Sequence, residues 1–355
     1  MIDQEILGVP TSDRARGIGR LGSKVKGATA FLIVGLLAPL FFGVSSGSGQ
    51  IADKLDGYNV LLITIDTLRA DRLGVYGYDG VQTPNIDRLA VEGIRFEQVT
   101  TTVPATLPAH ASIMTGLQPF EHGVRSNGAF VLRDDVNTLA EQFVAAGYVT
   151  GSFTGTVVLD AQFGMAQGFE QFSGLAPYQR VTGDTSGERP GESVVDEAGM
   201  WIRSQSAPFF AWVHMYDPHD PYAAPEPFGS RYTDSPYDGE VAYVDAMVGR
   251  LRQVLEESGA ADNTLIILTS DHGEGLGDHG EQTHSFFIYD STVRVPLIFW
   301  APGEVPSGIV AMGRVGVIDI FPTVLTMVGL PIPSNSGVDL SRHFIVFGRQ
   351  PKDTS

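Results

Sequence analysis

Cysteine is absent from this 355-residue chain, which removes thiolate metal ligands, cysteine nucleophiles and disulfides together. That absence suits an exported protein without requiring export. Lysine is almost absent as well: there are four, and none lies between Lys54 and Lys352. Of 23 basic and 41 acidic residues, five and three fall in the first 50 positions. The remainder therefore has 18 against 38, a net charge of −20. Such a surface excludes nucleic acid as a partner. No internal repeat is present. What the chain does have is 43% hydrophobic residues and 42 glycines, enough for a sizeable core carrying many loops.

One apolar run stands apart. Residues 27–44, "GATAFLIVGLLAPLFFGV", are an uncharged stretch of 18, about the minimum that crosses a bilayer. Arg14, Arg16, Arg20, Lys24 and Lys26 precede it, which keeps residues 1–26 in the cytoplasm. Residues 27–45 are thus expected to be a transmembrane anchor. The alternative is a cleaved signal peptide, since the small residues "SSGSG" follow. Either way the rest of the chain is exported, membrane-anchored or secreted, behind a linker at residues 46–57.

Beyond the linker, strand and helix patterns alternate. "NVLLITI" and "NTLIILTS" are short apolar runs rich in β-branched residues, as buried parallel strands are. "PFFAWVHMY" and "VPLIFWA" resemble them. "NTLAEQFVAAGY" has helical spacing, and residues 239–257 carry Val241, Val244, Val248, Leu251 and Leu255 at intervals of three and four. "GDTSGERPGES" reads as an exposed loop. The alternation predicts an α/β sandwich with a largely parallel central sheet.

Two of these strands end in aspartate, Asp66 after "LLITI" and Asp271 after "LIILTS", the latter followed at once by His272. Ligands of open α/β sheets collect at the carboxyl ends of strands. Carboxylate with imidazole suits zinc or manganese, with calcium the alternative. A lone aspartate there more often caps a turn. Seven of the eight histidines also fall in short clusters: His110 and His122, His214 and His219, His272 and His279, and His284.

"NVLLITIDTLRADRLGVYGY", "TPNIDRLAVEGIRFEQV", "SIMTGLQPFEHGV", "DPHDPY", "SDHGEGLGDHGEQTH" and "YDSTVRVPLIFWAPG" together resemble the sulfatase-like branch of the alkaline phosphatase superfamily, from about residue 58 to 340. The resemblance implies a three-layer α/β sandwich, a metal at the strand ends and a nucleophile at a helix N-terminus beside it. Sulfatases carry Cys-x-Pro-Ser-Arg before "LLTG". In "TLPAHASIMTG" Thr106 takes the cysteine position, Pro108 the proline and His110 the arginine. Threonine cannot become formylglycine, because oxidising a secondary alcohol gives a ketone. Unmodified threonine resembles instead nucleotide pyrophosphatase/phosphodiesterases and phosphoethanolamine transferases. The lysines that sulfatases present to sulfate are missing; His284, twelve residues after His272, takes one such place, and Thr67 replaces the second aspartate of the "DD" pair.

The expectation is therefore a metal-dependent hydrolase or transferase of phosphoesters, without formylglycine. Asp66, Thr106, Asp271 and His272 surround the metal, and Thr106 is the nucleophile. His110, His219 and His284 join it as catalytic residues. The latter two hold non-bridging oxygens, protonate the leaving group or complete a second metal site. The substrate is a phosphate or sulfate ester of a lipid, glycan or nucleotide. Rival readings are a sulfuric ester hydrolase acting without formylglycine and an inactive envelope binding protein. The catalytic domain is expected over residues 58–340, followed by a short tail, 341–355. The small C-terminal subdomain usual in the family is expected to be absent or cut off.

Overall fold

The computed structural model describes residues 55–182 and 187–344. The anchor segment 27–45, most of the linker and the tail beyond 344 lie outside the described residues. Among the described residues no helix is long and apolar enough to cross a membrane.

Eight strands form one sheet: β1 (Asn59–Ile65), β2 (Ile94–Thr100), β3 (Val149–Thr154), β4 (Gln171–Ser173), β5 (Phe209–Met215), β6 (Thr264–Ser270), β7 (Leu297–Trp300) and β8 (Ile309–Gly316). Their order is β4-β3-β5-β1-β6-β7-β2-β8. Every pairing is parallel except the two made by β7. The central strands β5, β1 and β6 are buried at every position. This explains their unbroken apolar runs: both faces of a covered parallel sheet need apolar side chains.

Alternation along β1 divides its side chains between two cores. Val60 and Leu62 join Phe210, Trp212 and Leu107 on one face, while Leu61, Ile63 and Ile65 join Val213, Val244 and Leu251 on the other. The first face is covered by helices Thr106–Thr115, Leu139–Ala145 and Ile320–Met327. The second carries Pro84–Glu92, Gly191–Arg203 and Pro236–Glu257. The fold is a three-layer α/β sandwich.

The expected helix at 239–257 begins three residues earlier, at Pro236, whose fixed φ suits the first helical position. The loop expected over "GDTSGERPGES" ends sooner than its composition suggests, because Gly191 opens a helix with its N–H capped by Asp217 Oδ2 at 3.1 Å. Strands β3 and β4 escape sequence reading, being built largely from Thr, Ser and Gly rather than from an apolar run.

His122 illustrates how a polar group locks into this frame away from the strand ends. It is fully buried at the end of the short helix Pro119–His122. Nδ1 accepts the Val124 N–H at 3.1 Å, so the proton sits on Nε2 and is donated to Ser112 Oγ at 3.0 Å. Burial pushes its pKa down to about 4. With the folded value below the ordinary one near 6.5, its contribution to stability is complete above pH 6.5 and is lost as pH falls towards 4. Urea unfolding at pH 7 and pH 5 should therefore differ by on the order of 1–2 kcal/mol through this residue. In His122→Gln that part of the difference should vanish; an unchanged difference contradicts the assignment.

Candidate active site at the strand ends

Parallel pairing brings the two aspartates together. Ile65 of β1 lies level with Ser270 of β6 and Met215 of β5, so Asp66 and Asp271 leave the sheet side by side. His272 follows within the same turn. One ligand atom each from Asp66, Asp271 and His272 lie within 4.8 Å of one another, all three residues being fully buried. His272 Nε2 is 3.3 Å from Asp271 Oδ2 and 3.7 Å from Asp66 Oδ1. The turn is tight: a Cβ on Gly273 would stand 2.0 Å from the Ser291 carbonyl oxygen, so only glycine allows the chain past that backbone.

The hydrogen bonding leaves this cluster oriented but unsatisfied. Asp271 Oδ1 accepts the backbone N–H groups of His272 (2.9 Å) and Thr67 (3.3 Å). Asp271 Oδ2 and both oxygens of Asp66 have no hydrogen-bond partner. His272 Nδ1 donates to the Gly273 carbonyl at 2.9 Å, which leaves the Nε2 lone pair facing the carboxylates. Burial and the neighbouring negative charge of Asp66 push Asp271 well above the usual carboxylate range. Burial also works against the charge of Asp66, but the His214 imidazole, and after it the His272 and His219 rings, carry its pKa well below that range. Two carboxylates this close repel by roughly 3 kcal/mol at an effective dielectric near 20. A buried set of three orphaned carboxylate oxygens plus an imidazole lone pair fits a divalent cation, and oxygen with nitrogen donors fits zinc or manganese.

Thr106 enters from the opposite layer. All ten residues of the helix Thr106–Thr115 are buried, which accounts for the small, apolar composition of "TLPAHASIMT" and points its N-terminus at the strand ends. The N-cap is Ala105, with no side-chain cap. Thr106 is the first helical residue, and its hydroxyl is not spent on capping. Asn127 Oδ1 instead accepts the Leu107 N–H at 2.8 Å. Thr106 Oγ1 lies 3.3 Å from His272 Nε2, in a position where the helix N-terminus favours negative charge.

His110 sits one turn further on and faces inward, not outward. Trp212 Nε1 donates to Thr64 Oγ1 at 2.9 Å, and that hydroxyl donates to His110 Nε2 at 3.0 Å. The His110 proton is therefore on Nδ1, donated to the Thr106 carbonyl at 2.8 Å. Burial pushes its pKa well below the usual value, and the neighbouring His214 ring adds to the effect. Both ring nitrogens are committed, and Nδ1 also stands 3.6 Å from Asp271 Oδ2, so His110 lies against the cluster beneath Thr106.

His219 and His284 complete the site on the open side. Their rings meet edge to face at 5.2 Å, and His284 lies 4.3 Å from the His272 ring. His219 is stacked on Tyr216 and bonded through Nδ1 to the Asp220 carbonyl at 2.7 Å. His284 Nδ1 stands 3.3 Å from both oxygens of Glu274. Burial opposes the imidazolium, but the Glu274 carboxylate outweighs it and raises the His284 pKa. Beside these loops opens a cleft of about 530 Å³ lined by residues including Arg72, Asp220, Tyr222, Tyr237, Gln282 and Thr283.

Two members were not legible. Glu274 is fully buried, and besides facing His284 it accepts the Gly275 N–H at 3.0 Å. His214 Nδ1 accepts the Gly155 N–H at 3.4 Å, so its Nε2–H faces Asp66 Oδ2 from 3.5 Å, longer than a formed hydrogen bond. The signal for His214 was present as a polar residue inside the apolar run "FFAWVHM", level with Thr64 in the neighbouring strand. His279, clustered with His272 in sequence, stacks on Tyr289 instead.

Comparison with known proteins agrees with this arrangement. A sequence model of the Sulfatase family matches residues 58–330. Human N-acetylgalactosamine-6-sulfatase is 28% identical over 79% of this chain, which spans 64% of the length of that relative. An arylsulfatase of Clostridium perfringens is 25% identical over 78% of this chain and 76% of its own. Among solved structures, the phosphonate monoester hydrolase of Agrobacterium radiobacter superposes with a TM-score of 0.70 at 25% identity. That match covers 81% of this chain and 77% of the other. The phosphonate monoester hydrolase of Silicibacter pomeroyi gives 0.68 at 25%, covering 83% and 78%. With the family pattern running through both strand ends and the Thr106 helix, this chain belongs to the sulfatase family.

Proposed function

We propose that the chain is an exported, metal-dependent hydrolase or transferase of phosphoesters that uses Thr106 as its nucleophile. The observation that carries this reading is the Thr106 hydroxyl at a helix N-terminus, not used for capping and hydrogen-bonded at 3.3 Å to His272 Nε2, in a cluster with orphaned oxygens on Asp66 and Asp271. Asp66, Asp271 and His272, with Thr106, would hold a divalent cation. When bound it would supply Lewis acidity at the reacting centre and favour the deprotonated threonine.

The chain's own groups account for the remaining steps. Thr106 Oγ1 attacks phosphorus in line, and the helix N-terminus favours the negative charge that develops. His284, held by Glu274, is placed to bind non-bridging oxygens or to give a proton to the leaving alcohol, with His219 beside it. Water or an acceptor alcohol then displaces the threonine by a second in-line attack. His110 fixes the Thr106 turn through its carbonyl.

Phosphorus rather than sulfur is favoured by two features of the sequence. Threonine cannot supply the hydrate through which formylglycine expels sulfate. No lysine lies between Lys54 and Lys352 to bind sulfate in the usual manner of the family. The similarity to phosphonate monoester hydrolases supports the same choice. The similarity to sulfatases favours the second reading, a sulfuric ester hydrolase acting without formylglycine. Paired assays on aryl phosphate and aryl sulfate esters separate the two. Activity on phosphate monoesters or diesters should far exceed that on sulfate esters, and turnover of sulfate alone contradicts the proposal.

Thr106→Ala should lower turnover by ~10³–10⁶ while the cation remains bound through its other ligands. Thr106→Ser, which loses only a methyl group, should keep part of the activity. Retention of most activity in Thr106→Ala rules the mechanism out.

The cation can be read without turnover. Because it binds only the folded cluster, zinc or manganese at about 100 times its dissociation constant should raise unfolding free energy by about 2.7 kcal/mol. Asp271→Ala should abolish most of that gain. A gain seen with calcium alone, or equal in the variant, argues against this donor set.

Export is read from residues 1–45. A reporter joined after residue 60 should be active only outside the cytoplasm, and cytoplasmic activity alone would refute the topology.

A further inference from the structure

One residue beyond His284, after Ser285, the chain places three consecutive apolar residues in solvent. Phe286, Phe287 and Ile288 are 78%, 59% and 79% exposed. Isolated exposed apolar residues are ordinary on a protein surface, but a contiguous group marks a place where something binds. Phe286 is two residues from His284, so their Cα atoms are at most about 7 Å apart.

The loop is held firmly in this pose. The Glu281 carboxylate, itself buried, accepts the N–H groups of Phe286 (3.3 Å) and Phe287 (3.2 Å) through one oxygen. Ser285 adopts the left-handed region at φ 83°, and its hydroxyl donates to the Pro104 carbonyl at 3.2 Å. Thr292 Oγ1 donates to the Phe287 carbonyl at 2.9 Å. The backbone is thus tied on one side to the segment leading into Thr106 and on the other to the next helical turn. The apolar side chains are directed outward by a scaffold that also frames the site.

We propose that Phe286, Phe287 and Ile288 seat the apolar part of an amphiphilic ester, so that the substrate of this site is lipid-like. This deepens the phosphoester reading above and rests on it. Position argues for this occupant: the patch follows His284, whose ring is 4.3 Å from that of His272, and Ser285 ties it to the segment leading into Thr106, so the tail of a substrate whose head reaches Thr106 can lie on it. The tip "SFFI" carries no charge, and the exported portion has a net charge of −20. Recognition of an amphiphile must therefore come from apolar contact, not from a basic patch.

The test uses the full chain in lipid nanodiscs with two p-nitrophenyl phosphodiesters, ethyl and octyl, which share one leaving group. Wild-type protein should show a kcat/KM about 10–100-fold higher for the octyl ester. The double variant F286S/I288S should lose most of that preference and keep the ethyl rate. Calorimetric binding of ethyl- and octylphosphonate reads the seat without turnover and should show the same preference and the same loss. Equal wild-type values for both chain lengths, or a preference that survives the double substitution, overturn the proposal. So does a wild-type dimer that the substitutions split, since a second copy would then be the occupant. If neither diester is cleaved, the phosphoester reading fails, and the calorimetric preference alone decides the seat.

Discussion

Two buried carboxylates forced together, with three of their four oxygens lacking a hydrogen-bond partner, are the constraint on which the site depends. Parallel pairing of β1 with β6 leaves no freedom: once Ile65 is level with Ser270, Asp66 and Asp271 must emerge as neighbours. Burial of a charge is costly unless something compensates it. The surroundings supply compensation in part, through backbone N–H groups on Asp271 Oδ1 and imidazoles around Asp66. The oxygens that remain are aimed at one point. Helix and sheet thus converge on a place where positive charge is required, and the Thr106 hydroxyl stands at its edge.

The surrounding hydrogen bonds read as devices for holding that geometry. His272 is fixed in one tautomer by the Gly273 carbonyl, and His110 in one tautomer by the Trp212–Thr64 chain. Each choice leaves a specific atom free or committed. His272 keeps a lone pair towards the carboxylates, while His110 spends both nitrogens on the Thr106 carbonyl and the Thr64 hydroxyl. The Glu274–His284 contact works in the opposite sense, favouring a protonated ring on the open side. The two imidazoles are thus pushed in opposite directions, His272 towards the neutral form among the carboxylates and His284 towards the protonated form at the opening.

Much of this was legible because it is local. The runs ending at Asp66 and Asp271 declared themselves by composition, and "TLPAHASIMTG" declared a special helix start by its match to a family pattern. The aromatic runs "PFFAWVHMY" and "VPLIFWA" were read correctly as strands for the same reason. What escaped was set by tertiary contacts. His214 matters only because parallel register lays it beside Thr64 and near Asp66. The role of Glu274 depends on a loop that brings His284 back ten residues later. His110 was read as a catalytic group because its sequence position matches an arginine; its bonds to the Thr106 carbonyl and the Thr64 hydroxyl come from tertiary packing. Strands β3 and β4 lacked the apolar signal because Thr150, Ser152, Thr154 and Ser173 are themselves buried. The exposure of Phe286 and Ile288, close behind His284, has no signature in sequence at all.

The central claim is that Thr106 is joined covalently to phosphorus during turnover, and stereochemistry tests it most directly. Two successive in-line displacements invert the configuration twice. A phosphorothioate diester of defined configuration, hydrolysed in water enriched in heavy oxygen, should therefore give product with net retention. Net inversion would mean that water attacks phosphorus directly, and would contradict the account.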